Sequence, residues 1–169
     1  MLSATDAAEV LNLVETSALN SLEADSWLQT GGTGGIGLIH PWALRRERTY
    51  QAHELPALTV QAAGIAPPKG GAPAGAHDLD VSLVIEAIHA GADRSAAADK
   101  VQSVAARLRK WLADQETPGG NRLDGLLDDG DGVLVPGEVK LAEEAAPNRT
   151  HWAIARLEAT VRLRVGASG

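Results

Sequence analysis

The segment that most restricts the fold is the run His151 to Val165, HWAIARLEATVRLRV. Its residues alternate strictly. Ala153, Ala155, Leu157, Ala159, Val161, Leu163 and Val165 fall on one side, and Trp152, Ile154, Arg156, Glu158, Thr160, Arg162 and Arg164 on the other. A period of two belongs to a β-strand, whose successive side chains point to opposite faces of a sheet. At about 3.3 Å per residue such a strand extends roughly 45 to 50 Å, where an ordinary strand has about 5 to 6 residues. A chain containing it is built around a sheet with one face to be covered by apolar neighbours.

The rest of the sequence supplies those neighbours. Thr5 to about Ala24 reads as a helix: Thr5 or Asp6 caps it, and Ala7, Val10, Val14, Ala18 and Leu22 recur at helical spacing. Trp42 to Gln51 is expected to be a strand with Arg46, Arg48 and Tyr50 on one side, and Leu55 to Ala62 a short strand tolerating Pro56 near its start. Asp78 to His89 alternates Leu79, Val81, Leu83, Ile85 and Ala87 against Asp80, Ser82 and Glu86. A second, longer helix runs from a cap at Asp93 or Ser95 to about Gln115, with Ala97, Val101, Val104, Leu108, Trp111 and Leu112 as its apolar stripe. Val133 to Ala145 is a further strand. The order is α-β-β-β-α-β-β, an α+β fold with a mainly antiparallel sheet and two helices packed on one face. With 169 residues the chain makes one domain, 1–169, with flexible loops expected at about 30–40 and 64–77, where Gly and Pro concentrate.

Composition narrows the partners. The formal net charge of −7 speaks against a protein that tracks free nucleic acid, since such domains are usually basic. The chain has no cysteine, which removes disulfides, thiolate metal sites and cysteine nucleophiles. The N-terminus has no basic region followed by an apolar run, and no stretch approaches the ~18 apolar residues of a membrane span. The expectation is a soluble protein that is not exported and has no membrane partner.

Motifs that would carry chemistry fail on their context. Gly32, Gly34 and Gly37 have the G-x-G-x-x-G spacing, but a helix precedes them and Pro41 follows where a phosphate-binding helix would start, so they read as a connector. His53-Glu54-Leu55-Pro56-Ala57 starts like a zinc protease motif and has Ala57 where the second histidine is needed. Asp128-Asp129-Gly130-Asp131-Gly132 lacks the ligand spacing of a calcium loop and reads as an acidic turn. No catalytic, cofactor-binding or metal-binding residue is assigned, and the chain is not expected to be an enzyme. A small α+β metal-binding or enzymatic module is the competing class.

Two groups of residues are candidates for contacts. Arg156, Arg162 and Arg164 share a strand face with Trp152 and, if the strands are neighbours, with Arg46 and Arg48. This is either a solvated face balanced by Glu158 or a basic stripe that meets an acidic partner or lines a passage for DNA. Val84 and Ile88 interrupt the polar side of their strand, so that side is also covered, by a neighbouring element or by another subunit.

The run HELPALTVQAAG, a loop, the strand DLDVSLVIEAIHAG and the helix ADRSAAADKVQSVAARLRKWLADQ resemble the tail terminator, or tail completion, proteins of long-tailed bacteriophages and phage-like particles. Leu108 to Leu112 (LRKWL) and Leu123 to Leu126 (LDGL) fall at the places such proteins lead one to expect, and the likeness extends over about Thr5 to Val165. The long Pro/Gly loop and the glycine connector depart from it. The resemblance implies a ring, usually of six copies, at the head-proximal end of a virion tail, assembled in the host cytoplasm. Its partners would be the tail tube protein, whose polymerisation it ends, and the head-tail connector, with DNA passing through the lumen without sequence-specific contact. A neck or head-tail joining protein is the near alternative.

Overall fold

The computed structural model describes residues 7–42, 49–66, 76–91, 93–128, 132–145 and 151–166. The chain is an α+β fold of two helices and a five-stranded sheet. Helix α1 spans Ala7–Ala24, strand β1 Leu38–Pro41, β2 Ala57–Ala66, β3 Ala76–His89, helix α2 Arg94–Glu116, β4 Gly132–Ala145 and β5 His151–Gly166. The element order matches the sequence expectation, and the sheet order is β1-β2-β3-β5-β4. Every neighbouring pair is antiparallel except β1 with β2, which is parallel.

Both helices lie on the face formed by Leu58 and Val60 of β2, Val81, Leu83, Ile85 and Ala87 of β3, and the alanines, Leu157, Val161 and Leu163 of β5. Helix α1 packs over β2 and its neighbours through Val10, Val14, Ala18 and Leu22, one residue per turn. Helix α2 lies over β5, β3 and β4. Its start is fixed by Asp93, whose Oδ1 accepts the N–H groups of Ser95 at 2.9 Å and Ala96 at 3.4 Å, pairing two of the donors a helix leaves open. Among the described residues Trp111 is the one fully enclosed aromatic of this core, with Trp27 packed against its edge, and the close packing rests on aliphatic residues.

The segment after α2 closes one end of this core. Arg122, Leu123 and Asp124 have φ values of 52, 51 and 55°, a left-handed turn of non-glycine residues. Each such residue costs roughly 1 to 2 kcal/mol. Burial offsets the cost: Leu123 is fully enclosed, its N–H donates to Oε1 of the buried Gln115 at 2.9 Å, and Leu126 and Leu127 follow it into the core.

The structure departs from the sequence expectation after α1. The expected strand Trp42–Gln51 lies largely outside the described residues, which omit 43–48, and Tyr50 and Gln51 are not in a strand. The strand is instead Leu38–Pro41, within the segment expected to be a flexible loop. The N–H of Gly37 donates to the carbonyl of Pro56 at 2.9 Å, which draws the residues after the glycines alongside β2. The glycine segment is a series of hydrogen-bonded turns in which Gly31 and Gly35 take positive φ. Strands β2 and β3 also reach further into the Pro/Gly region than expected, by pairing Ile65 with Val81 and Ala66 with Asp80 past an irregularity at Ala62/Gly64.

Candidate assembly surface: the open sheet face and the outer strand

The face of the sheet away from the helices is built in rows across the strands. The register sets Leu38, Ala57, Ile88, Ile154 and Ala142 in one row and His40, Thr59, Glu86, Arg156 and Lys140 in the next. Further along come Asp80 with Arg162 and Val133, then Asp78 with Arg164.

The first row is covered by the chain itself. A 3-10 turn at Ala52–Glu54 follows Tyr50, and Tyr50 lies over the sheet with its ring 5.4 Å from that of Trp152, edge to face. The Tyr50 hydroxyl is 2.6 Å from His40 Nε2, and His40 Nδ1 is 2.8 Å from the carbonyl oxygen of Pro41. Tyr50, Ala57, Ile88, Trp152 and Ile154 thus make a second, smaller apolar cluster. Ile88 is fully enclosed and Trp152 nearly so, which accounts for their apolar character without a second subunit. Val84 is half-buried on the open part of this face, in a row with Gln61 and Glu158. Glu54 of the zinc-like motif accepts the Gln51 N–H at 2.9 Å.

The arginines of β5 share one face, as their alternation requires, and each meets a carboxylate of β3. Arg162 reaches both oxygens of Asp80, at 2.7 and 3.0 Å, Arg164 reaches Asp78 at 3.2 Å, and Arg156 reaches the enclosed Glu86 at 3.4 Å. The hydrogen bond from Arg162, with its positive charge, holds the Asp80 carboxyl below the usual carboxylate range, and Asp80 in turn raises the Arg162 pKa. The balancing acids are therefore Asp78, Asp80 and Glu86, and not Glu158. Opposite charges facing each other across two strands leave a paired ladder in place of a net basic stripe. Arg46 and Arg48 lie outside the described residues.

The outer strand β4 differs from the other long strands. It pairs with β5 on one side, and among the described residues no strand pairs with its other side. Val133 is 56% exposed, Val135 45% and Leu141 54%, and these are the exposed large hydrophobic side chains of the described residues. Val133 and Val135 are on the open face, whereas Leu141 lies in the row of Ile39, Leu58, Ala87 and Ala155 on the helix side. The pairing with β5 is irregular between Pro136 and Val139. There the backbone runs so close to β5 that a Cβ on Gly137 would be 2.5 Å from the carbonyl oxygen of Glu158. Two grooves follow the seam between α2 and β4. One of about 470 Å3 is lined by Arg109, Leu112, Glu116, Gly137 and Val139, and one of about 320 Å3 by Ala98, Val101, Gln102 and Leu141.

Neither the three exposed side chains of β4 nor the Tyr50 cover is evident from residue pattern alone. The Pro136-Gly137 pair is the one signal that the strand is an edge, because proline is tolerated on edges and at bulges. Among the described residues no group of three or more His, Asp or Glu side chains is placed to hold a metal ion. No described helix is long and apolar enough to cross a membrane. No protein-family model matches the chain, and no curated protein sequence matches it either.

Proposed function

We propose that the chain is a structural subunit of a virion tail, a tail terminator whose copies form a ring on the tail tube. The ring ends tube polymerisation and offers its other surface to the head connector. The observation that carries this reading is the gathering of the exposed hydrophobic side chains on β4, the long outer strand. A long open edge with apolar side chains pairs readily with another chain, and proteins that stay monomeric usually shorten, charge or cover it. Head-to-tail pairing between copies that closes on itself gives a ring of cyclic symmetry. The order of elements agrees with the resemblance to tail terminators, and the paired residues of the open face suit a structural role.

In this reading the action is mechanical. A ring seated on the last layer of tube subunits occupies the edges and loops that the next layer needs, and growth stops without bond chemistry. If the open face lines the lumen, DNA passing through meets charge-paired rows, and not a basic track that would hold its phosphates. Such a subunit belongs at the head-proximal end of the tail, after assembly in the host cytoplasm.

The test is polymerisation of purified tail tube protein with and without the chain. The expected result is tubes of limited length with the chain at one end. Tubes that elongate unchanged and carry none of the chain would overturn the proposal. Binding to portal complexes and not to tubes would move the chain to the neck.

A further inference from the structure

We propose that neighbouring copies join edge to edge, with Val139–Ala142 of β4 in one copy paired antiparallel to β1 of the next; this rests on the ring reading above. The directions of the strands allow it. Strand β1 is parallel to β2, and the chain reverses between β2 and β3, between β3 and β5, and between β5 and β4. The two strands that are outermost among the described residues therefore run in opposite senses. In a ring whose axis runs along the strands, rotation keeps those senses, so β4 meets the next β1 in the antiparallel arrangement, the more stable one per residue.

The sheet's own register then selects the residues. Leu38 and Ala142 lie in one row across the five strands, and Pro41 and Val139 in another. Pure rotation involves no sliding along the axis, so Leu38 faces Ala142, Ile39 faces Leu141, His40 faces Lys140 and Pro41 faces Val139 of the adjacent copy. Every pair lies on matching sides of the sheet, as a one-residue slip would not allow. Ile39 reaches the exposed Leu141 on the helix side, beside the groove of about 320 Å3 lined by Ala98 and Val101. The free part of the edge begins beyond the irregularity at Pro136, where pairing with a new strand is not distorted.

Charge favours this head-to-tail joint over pairing of like edges. Residues 7–42, which include α1 and β1, contain Glu9, Glu15 and Glu23 and no Lys or Arg; their fourth acid, Asp25, is paired with Arg107 of α2 at 3.0 Å. The opposite flank carries Arg94, Arg109 and Lys140 together with Glu116, Glu138 and Glu143. Two acidic flanks repel, whereas the acidic flank meets a mixed one without that cost.

Because the chain has no cysteine, an introduced pair reports on this contact alone. Directly opposed residues in an antiparallel pair have Cα atoms about 4.5 to 5.5 Å apart, within the disulfide range. The full chain with Ile39→Cys and Leu141→Cys, oxidised after assembly, is expected to give a ladder of linked species up to one closed multiple, while each single variant stays unlinked. Linking of Leu141→Cys with itself, or assemblies of proven mass without links in the double variant, would overturn the proposal. A variant that changes one exposed side chain, Leu141→Glu, guards against misfolding of the pair. It is expected to need at least tenfold higher concentration to assemble, and assembly like that of the unaltered chain would also overturn it. Rings that cap tubes but do not link through these cysteines would refute the edge assignment alone, and linked rings that leave tube length unchanged would refute the tail function alone.

Discussion

Strands β5 and β4 are neighbours of similar length, 16 and 14 residues, and they solve opposite problems. β5 has a strand on each side, its apolar residues from Trp152 to Leu163 are enclosed in the core that α2 covers or beneath Tyr50, and its arginines face carboxylates. Among the described residues β4 is paired on one side, and three of its hydrophobic side chains are exposed. Strand length alone therefore says little about what a strand is for. A long strand in the middle of a sheet is satisfied by its own chain, whereas one of similar length at the edge leaves a row of backbone groups for water or, in the reading proposed above, for another copy. The internal strand should govern folding and the outer one assembly.

The sharpest way to break this contrast is to truncate a side chain in the middle of the sheet. Leu157→Ala is expected to cost about 2 to 5 kcal/mol of stability, read by chemical denaturation, because Leu157 is enclosed under α2. The matching change at the edge, Val135→Ser, should alter stability by no more than about 0.5 kcal/mol, as surface substitutions usually do. A large loss there would mean that β4 is part of the folding core after all.

A smaller effect sharpens the account of the open face. Removing both members of the Asp80–Arg162 pair in a double-mutant cycle should reveal only a weak coupling, since both side chains are partly solvated and water screens them. The folded-state pKa of Asp80 is depressed, so this contribution is present above the ordinary carboxylate value of about 3.9 and is lost as pH falls below it. Coupling that stays constant down to pH 2 would contradict the pairing.

The smallest effect concerns His89. Its burial, with the charge of Lys100, lowers its pKa, so the unfolded chain takes up the proton first. Stability should decline slightly as pH falls below about 6.5, the ordinary histidine value, and His89→Gln should remove that slope. A slope unchanged in the variant would show that another group titrates.

The legible part of the fold was the part set by periodicity. Both helices and strands β3, β4 and β5 begin and end within about two residues of where the pattern places them; the helices, β3 and β5 do so because each buries one regular face, and β4 because turn residues bound it. Strand β1 was not legible: four residues carry too little period, and their place depends on the Gly37 to Pro56 hydrogen bond, a contact distant in sequence. The acid-arginine ladder was half legible. Asp78 and Asp80 were on the polar side of one strand and Arg162 and Arg164 on that of another, but only the register shows that they face each other. Ile88 reads as covered and Trp152 as a contact residue, but nothing local reveals that the cover is Tyr50, folded back over both.

The most direct test of the account is amide hydrogen exchange along β4, compared between dispersed subunits and subunits assembled on tail tubes, with β5 as the internal reference. The account predicts that those amides of Val139–Ala142 that point away from β5 exchange quickly in dispersed subunits and slow at least tenfold on assembly, while β5 is slow in both. Assembled subunits whose β4 amides exchange as fast as before, or a chain that stays single at every concentration and on tubes, would contradict it.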